Sequence, residues 1–474
     1  MVANSVIPKS IFENILLVFW LLAILTINLN IYSLYDTDSG DILSSKNIIL
    51  LTNYIRYFAP LLLLPILIYK NFTIKKDIFT NLFLFYSIWQ LSVYVLLNKK
   101  IENFDNFLII INLIFVLLIF NLANFYNYKY FLYKSLFILV LFISIISCFF
   151  IFKLLVEFYL KPEMIYLYSS ITLEAEKLTF FQNNIRVTGL SRMCIILLFF
   201  IFYFQNKYKS NKKIKYILFL LLFFFSCMIF AMQSRGGLIG VGVLLSIYFF
   251  FIKDVLKKKI FIFLIIIVLP IFFWEIIKTY KINNLEKNFN TGKTFNTDKI
   301  ENLSKEKINI IYDSRYIYPI KVGADDDISS GRLLIWKRSF ELIFKEKIIL
   351  GLGPQADRRF LLVENFKDDP SKYFWQNNSS NALIYSYLCG GILGLFFIIC
   401  IYGIVIVQIL KTLFIKKSFE NCGYIVKFSA TTLIFLIIRS MFENSFAHFG
   451  MDFCLFSLCY FILRKNNISK KTSN

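Results

Sequence analysis

Residues 329–360 read SSGRLLIWKRSFELIFKEKIILGLGPQADRRF, and long apolar runs lie on both sides of this stretch. Ser329 or Ser330 can cap a helix, because a hydroxyl accepts hydrogen bonds from the free backbone N–H groups of a first turn. The GLGP sequence at 351–354 predicts the end of that helix, since glycine adopts left-handed backbone angles and proline cannot continue the ladder. We therefore predict a helix and a tight turn inside a long loop that begins near residue 278.

The predicted helix carries two kinds of side chain. Its lysines could simply hold it against a membrane surface. Arg332 and Arg338 favour a second interpretation, because a guanidinium makes planar, two-pronged contacts that match phosphate oxygens. The apolar side chains recur at three- and four-residue spacing and so share one face: Leu333, Trp336, Phe340 and Phe344.

Apolar runs dominate the rest of the chain. Of its 474 residues 58% are hydrophobic, and the mean hydropathy is +0.65. A soluble domain of this length could not bury so much apolar surface, so the composition predicts an all-α membrane protein with many crossings. About twelve runs are long enough to cross a bilayer, near 11–32, 48–69, 78–97, 104–125, 132–157, 190–206, 214–233, 236–252, 260–277, 382–410, 424–441 and 446–463.

The basic residues predict the orientation. The formal charge of +22 sits mainly in the short connections after even-numbered runs, whereas the first odd-numbered connection, YDTDSGD, is acidic. This pattern predicts cytoplasmic termini and an external long loop, and it argues against a nucleic-acid partner. We expect three segments: nine spans in 1–277, the large loop in 278–380, and three spans with a cytoplasmic tail in 381–474.

Two arginine-containing turns are expected on the same outer side as the long loop. In QSRGG, Arg235 opens a span that Ser234 can cap, so the helix dipole and the guanidinium both favour an anion. In NNIRVTGLSR, Arg186 and Arg192 stand beside the start of another span. The alternatives are an interfacial arginine in a tightly packed glycine hairpin for the first turn, and arginines that extend to lipid headgroups for the second.

A fourth group of candidates lies before the last span. Arg439, Glu443 and His448 gather there, and Arg56 in the second span belongs to the same outer half. A lone histidine is more often structural than catalytic, and a single histidine excludes a multi-histidine metal centre. The eight cysteines form no CxxC metal motif.

Four segments resemble the O-antigen ligase and O-antigen polymerase family. QSRGGLIGVGVLL resembles its SRG-containing span, and GRLLIWKRSFELIFKEKIILGLGP resembles the R…W…G-x-G-P-like segment of its large periplasmic loop. RVTGLSR is similar to its earlier R-x-x-G loop. SNALIYSYLCGGILGL is similar to the H-N…L…G-I-x-G segment before the next span, although Ser380-Asn381 stands here where ligases place histidine before asparagine.

The resemblance implies an enzyme of the bacterial inner membrane with a GT-C-like fold and a periplasmic active site. Its substrates would be undecaprenyl-diphosphate-linked oligosaccharides among membrane lipids, with no metal or cofactor and with a possible chain-length regulator as partner. By position, Arg186, Arg235 and Arg332 would hold the diphosphate. Further residues expected to bind substrate are Arg56, Arg192, Arg338, Ser380, Asn381 and Arg439. The missing histidine favours a polymerase over a ligase and leaves the general base open between Glu443 and His448.

Two other classes of protein are alternatives. A transporter or lipid flippase predicts ionisable residues at mid-membrane and related halves of the chain. A non-enzymatic membrane scaffold leaves the placed arginines without a purpose.

Overall fold

A computed structural model describes the backbone of residues 77–97, 128–160, 187–208, 211–232, 234–290, 332–345, 348–354, 356–357, 379, 381–415, 419–443 and 451–469. The regular segments within these ranges are helices, which confirms the predicted all-α class. They are α1 (Ile78–Leu96), α2 (Tyr128–Leu160), α3 (Val187–Phe204), α4 (Lys212–Ala231), α5 (Arg235–Phe251), α6 (Leu256–Phe263, Leu264–Val268 and Leu269–Asn290), α7 (Arg332–Lys345), α8 (Ala382–Leu410), α9 (Tyr424–Ser440) and α10 (Met451–Ser469).

The apolar runs of the sequence become these helices with nearly the expected bounds. Nine of the twelve predicted spans coincide with helices in the described ranges, and the other three lie outside them. Five helical stretches there are long and apolar enough to cross a membrane, which makes this a membrane protein: Ile78–Leu96, Leu132–Val156, Lys212–Ala231, Leu256–Lys281 and Ala382–Phe414. The total of twelve spans, the three-segment division and the side on which each loop lies remain predictions.

The described helices fall into two compact units. The first contains α1, α2 as far as Phe142, and the helices from Arg332 onward. The second contains α2 from Ile143 to its end and helices α3 to α6. The candidate residues are therefore divided between the two units.

In the second unit, α3 and α5 run parallel. The glycines of α5 approach α3 closely, since a Cβ on Gly237 would stand 2.4 Å from Ser191 Oγ and one on Gly240 would stand 2.7 Å from Ile195 Cγ2. These contacts advance in the same direction along both helices. The starts of α3 and α5 therefore lie at one end of the unit, and Arg192 and Arg235 are both near that end.

The second unit also shows how a long helix accommodates a proline. Pro270 cannot donate a backbone hydrogen bond, and its ring would crowd the carbonyl one turn earlier. The helix α6 forms a π-turn at Leu264–Val268, just before this proline, and then continues as Leu269–Asn290. A wider turn at this point removes the clash without breaking the span.

In the first unit, α8 folds back on itself. Gly391 has φ 61° and ψ −152° and divides the helix into two arms, residues 382–390 and 392–410. A Cβ on Gly394 would lie 2.4 Å from the carbonyl oxygen of Ser386, although eight residues of straight helix span about 12 Å. The predicted span 382–410 coincides with a helix that is long and apolar enough to cross a membrane, but this helix bends at Gly391. Its second arm alone has the length of a bilayer crossing.

The fold-back returns α8 to the end of α9. Asn381, before the first arm, donates from Nδ2 to the carbonyl oxygen of Met441 at 2.9 Å. Tyr402, in the second arm, donates its hydroxyl hydrogen to Ser440 Oγ at 2.8 Å. Asn381 and Tyr402 are 21 residues apart in the chain, and they thus contact two adjacent residues at the end of α9.

Candidate functional site

The turn after α9 is the meeting point of the candidate residues in the first unit. Arg332 Nη2, at the start of α7, donates to Glu443 Oε1 at 3.1 Å, and both side chains are partly exposed. The ring centroids of Trp336 and Phe442 are 6.2 Å apart. Together with the bond from Asn381 to Met441, these contacts tie residues 441, 442 and 443 to α7 and to the start of α8. We call Arg332, Glu443 and Asn381 the loop-end cluster.

The amphipathic pattern of α7 brings Arg332 to this place. One side of the helix is buried, and its members follow at intervals of three, four and seven residues. Ile343 on this side packs with Ile348, Ile384 and Leu388, so α7 rests on the first arm of α8. The buried residues among those of α7 whose side chains are described are Ile335, Ser339, Leu342 and Ile343. Arg332 belongs to the same side, and it therefore points toward the packed unit.

The GLGP turn fastens the loop to the bend of α8. A bent helix leaves carbonyl groups without intrahelical donors. Here the N–H of Leu352 donates to the carbonyl of Leu388 at 2.8 Å, and that of Gly353 donates to Cys389 at 2.9 Å. Gly351 and Gly353 have φ values of 90° and 87°, which confirms the left-handed angles expected for this turn. The GLGP motif is thus a clasp on α8.

A buried acid that no sequence motif indicated stabilises the segment next to the loop-end cluster. Asp357 is fully buried, and its Oδ2 accepts hydrogen bonds from the N–H (3.0 Å) and the hydroxyl (3.2 Å) of Ser379. Ser379 in turn accepts from Trp336 Nε1 at 3.1 Å through its carbonyl. Asp357 therefore orders the segment that leads into Asn381 and fixes it to α7. Its only sequence signal was an acid beside the two arginines of QADRRF.

Asn381 acts as the cap of α8. Its Oδ1 accepts from the N–H groups of Leu383 (2.8 Å) and Ile384 (3.1 Å), while its amide group reaches α9. Asparagine suits this position because its short side chain satisfies the free donors of a first turn. Asn381, which is predicted to bind substrate, thus has a structural role at the edge of the site.

Two other candidate arginines of the first unit are placed differently. Arg439 is buried and forms an ion pair with the buried Asp452 through Nη1. Breaking such a pair is costly, so its position favours a role in joining α9 to α10 rather than in holding substrate. Arg338 is partly buried on α7, on a different side of the helix from Arg332.

In the second unit, the QSRGG turn has the geometry expected of it. Ser234 caps α5, and its Oγ accepts from the N–H of Gly237 at 3.3 Å. Arg235 follows at the first position of the helix and is partly exposed. Arg192, on the neighbouring α3, is also partly buried near the same end. The helix start and two guanidinium groups make this end of the second unit suitable for an anion.

The two glycines of QSRGG serve different purposes, and this can be tested. Gly237→Ala is expected to destabilise the protein by about 1–3 kcal/mol, because the added Cβ would overlap packed atoms, the nearest at 2.4 Å from Ser191 Oγ. Gly236→Ala is the matched control, since its Cβ would meet nothing closer than Ser234 Oγ at 3.9 Å. Thermal unfolding in a fixed detergent measures both. Equal stability of the two variants would contradict the packing.

Four predicted site residues lie outside the described residues, namely Arg56, Arg186, Ser380 and His448. Among the residues that the structure does describe, no group of three His, Cys, Asp or Glu side chains could hold a metal ion. The assignments of those four residues, and the meeting of Arg186, Arg235 and Arg332 at one diphosphate, remain predictions.

Comparison with known protein families gives one partial match. The model of a family described as O-antigen ligase matches residues 218–399, from within α4 into the second arm of α8. No curated protein and no solved structure matches the chain. The match covers less than half of the chain, and it supports the resemblance drawn from the three motifs that lie within residues 218–399. It supports an activity of the O-antigen ligase or polymerase type in general.

Proposed function

We propose, from the O-antigen ligase family match of residues 218–399, that this chain is a surface-polysaccharide polymerase. It would transfer a growing glycan from undecaprenyl diphosphate to a hydroxyl of another lipid-linked repeat unit, on the periplasmic face of the inner membrane. The observation that carries the proposal is the pair of Arg332 and Glu443, whose charged atoms are 3.1 Å apart. A cation and an acid are thereby held together at the end of the large loop.

The two groups suit the two charge changes of the reaction. The bond between C1 of the donor sugar and the diphosphate oxygen breaks, and negative charge grows on the leaving diphosphate. Arg332 would stabilise that charge, since guanidinium N–H groups pair with phosphate oxygens in two-pronged fashion. The acceptor oxygen forms the new bond to C1, and its proton passes to Glu443 as general base. The products are a glycan longer by the transferred chain and a free polyprenyl diphosphate.

The ion pair also positions the reacting groups before substrate binds. Arg332 reaches one oxygen of Glu443, Oε1, while a carboxylate has a second oxygen that can accept a proton. The contacts of Trp336 and Asn381 with the same turn hold this arrangement in place.

A second anion site in the second unit favours a substrate with more than one charged group. Arg235 and Arg192 stand near one end of that unit, beside the capped start of α5. We propose that Arg235, with Arg186, holds the diphosphate together with Arg332. The substitution of Ser380-Asn381 for the histidine–asparagine pair of ligases supports the polymerase over the ligase.

An assay with purified protein separates the candidate functions. Undecaprenyl-diphosphate repeat units are supplied in vesicles with a chelator, and the product lengths are resolved by electrophoresis. A polymerase gives a ladder from repeat units alone. A ligase gives product only after lipid A–core is added, and a flippase gives no new glycan bond in either case. The absence of any ladder with active, folded protein would overturn the polymerase assignment.

In cells, the same distinction is visible in the lipopolysaccharide. Loss of a polymerase leaves core that carries a single repeat unit, whereas loss of a ligase leaves bare core and accumulated lipid-linked polymer. A flippase defect strands precursors on the cytoplasmic side. We expect the first pattern.

A further inference from the structure

The helix α7 has an apolar side that is exposed in the part of the chain that the structure describes. The exposed fractions are 59% for Leu333, 49% for Phe340 and 76% for Phe344. These three positions lie within about 40° of one another around the helix axis. They adjoin Trp336 and form, together with it, the apolar face expected from the sequence, but the helix packs on the unit through a neighbouring side. Large aromatic groups on a helix surface that faces no protein mark an interaction site.

The charges on α7 are arranged as in a helix that lies on a membrane. Its remaining surface, between the apolar side and the buried side, carries Lys337, Glu341, Lys345 and Arg338, which together give a positive charge. Interfacial helices combine phenylalanine and leucine on one side with lysine and arginine on another, because the first enter the acyl region and the second meet anionic headgroups. A soluble partner protein would not require this division.

The residues that follow α7 are also exposed and apolar, and they lie beside a helix of membrane-spanning composition. Beyond α7, Ile349 and Leu350 are exposed. The N–H of Ile392 donates to the carbonyl of Ile349 at 3.0 Å, so this short segment joins the start of the second arm of α8. That arm belongs to a helix of membrane-spanning composition, and it exposes Ile392, Leu393, Phe396 and Ile399. The exposed segment therefore stands at one end of a lipid-facing helix.

We propose that α7 lies in the interface of the bilayer, with Leu333, Phe340 and Phe344 inserted among the lipid acyl chains. The occupant of this surface is thus the membrane itself. The three sides of α7 would then have different surroundings. The buried side holds Arg332 beside Glu443, the apolar side enters the lipid, and the charged side faces headgroups and water. The loop-end cluster would in this way be held at the level where a lipid-linked diphosphate meets its hydrocarbon chain.

A tryptophan placed on either side of α7 tests the insertion. Phe344→Trp replaces an exposed aromatic group on the apolar side, and Glu341→Trp, on the charged side of the same helix, is the matched control. Each full-length protein is reconstituted in vesicles of phosphatidylcholine and phosphatidylglycerol, with or without acyl chains brominated near the headgroup. The fluorescence of the unsubstituted protein is subtracted. We expect a blue shift and loss of emission in brominated lipid for Phe344→Trp only.

Two outcomes would overturn the proposal. Emission from Phe344→Trp that resembles that of Glu341→Trp would place both sides in water. A blue shift without quenching by bromine would place the apolar side against protein, such as a second copy of the chain. Phe340→Trp supplies an independent probe of the same side if Phe344→Trp does not fold. The measurement requires no glycan transfer, so its result is separate from the fate of the proposed function.

Discussion

Arg332→Ala is expected to lower the rate of glycan transfer by about 10²–10³, the usual effect of removing one donor that stabilises a developing anion. The guanidinium would act on the departing diphosphate, whose charge increases as its bond to sugar C1 breaks. In the proposed mechanism, donor and acceptor react beside the pair of Arg332 and Glu443, whose charged atoms are 3.1 Å apart. The rate of ladder growth from lipid-linked repeat units, measured at saturating substrate, gives this value.

Lys337→Ala is the matched control, because it removes a positive charge from an exposed position on the same helix. We expect it to keep nearly full activity, which would show that local rather than overall charge is needed. If both variants lost activity equally, α7 would act through its charge alone. If Arg332→Ala kept full activity in folded protein, the guanidinium would have no part in the reaction.

The partner of Arg332 can be examined by the same assay. Glu443→Gln keeps an oxygen that accepts from Arg332 but cannot take up a proton at neutral pH. If Glu443 is the general base, Glu443→Gln should be as inactive as Glu443→Ala. If Glu443 only positions Arg332, Glu443→Gln should retain most of the activity. The second result would leave the base to be sought elsewhere.

Gly391→Ala is expected to destabilise the protein by about 3 kcal/mol or more, from backbone strain together with overpacking. The observed φ of 61° and ψ of −152° belong to a region that only glycine enters readily. In addition, an alanine Cβ would lie 2.0 Å from the carbonyl oxygen of Ile349 and 2.7 Å from the nitrogen of Gly351. The chain would have to open the fold-back of α8 or release the GLGP clasp.

Gly403→Ala provides the control within the same helix. A Cβ at Gly403 meets nothing within 4 Å, and alanine favours a helix over glycine by up to about 1 kcal/mol. Its stability should therefore equal or exceed that of the natural protein in thermal unfolding followed by circular dichroism. A Gly391→Ala protein that matched Gly403→Ala would contradict the bend.

Local patterns allowed much of the helical framework to be predicted. The bounds of α1, α4, α5 and α9 follow from runs of apolar residues with polar ends, and such runs act within one segment. Capping by Ser234 and Asn381 also depends on a few adjacent residues, although only Ser234 was recognised as a cap. The same local logic failed at α8, where an uninterrupted apolar composition concealed the fold-back at Gly391.

The sequence by itself determined that this is a helical membrane protein with motifs that resemble the O-antigen ligase and polymerase family, because apolar length and short motifs are written in consecutive residues. Only the tertiary structure decided which candidates lie close together. Arg332 and Glu443 are 111 residues apart in the chain, and they meet because α7 packs on α8 and α8 returns to the end of α9. The same packing pairs Arg439 with Asp452 and allows Asp357 to accept a hydrogen bond from Ser379. Such pairings depend on contacts between segments that are distant in the chain, and residue spacing in the sequence does not predict them.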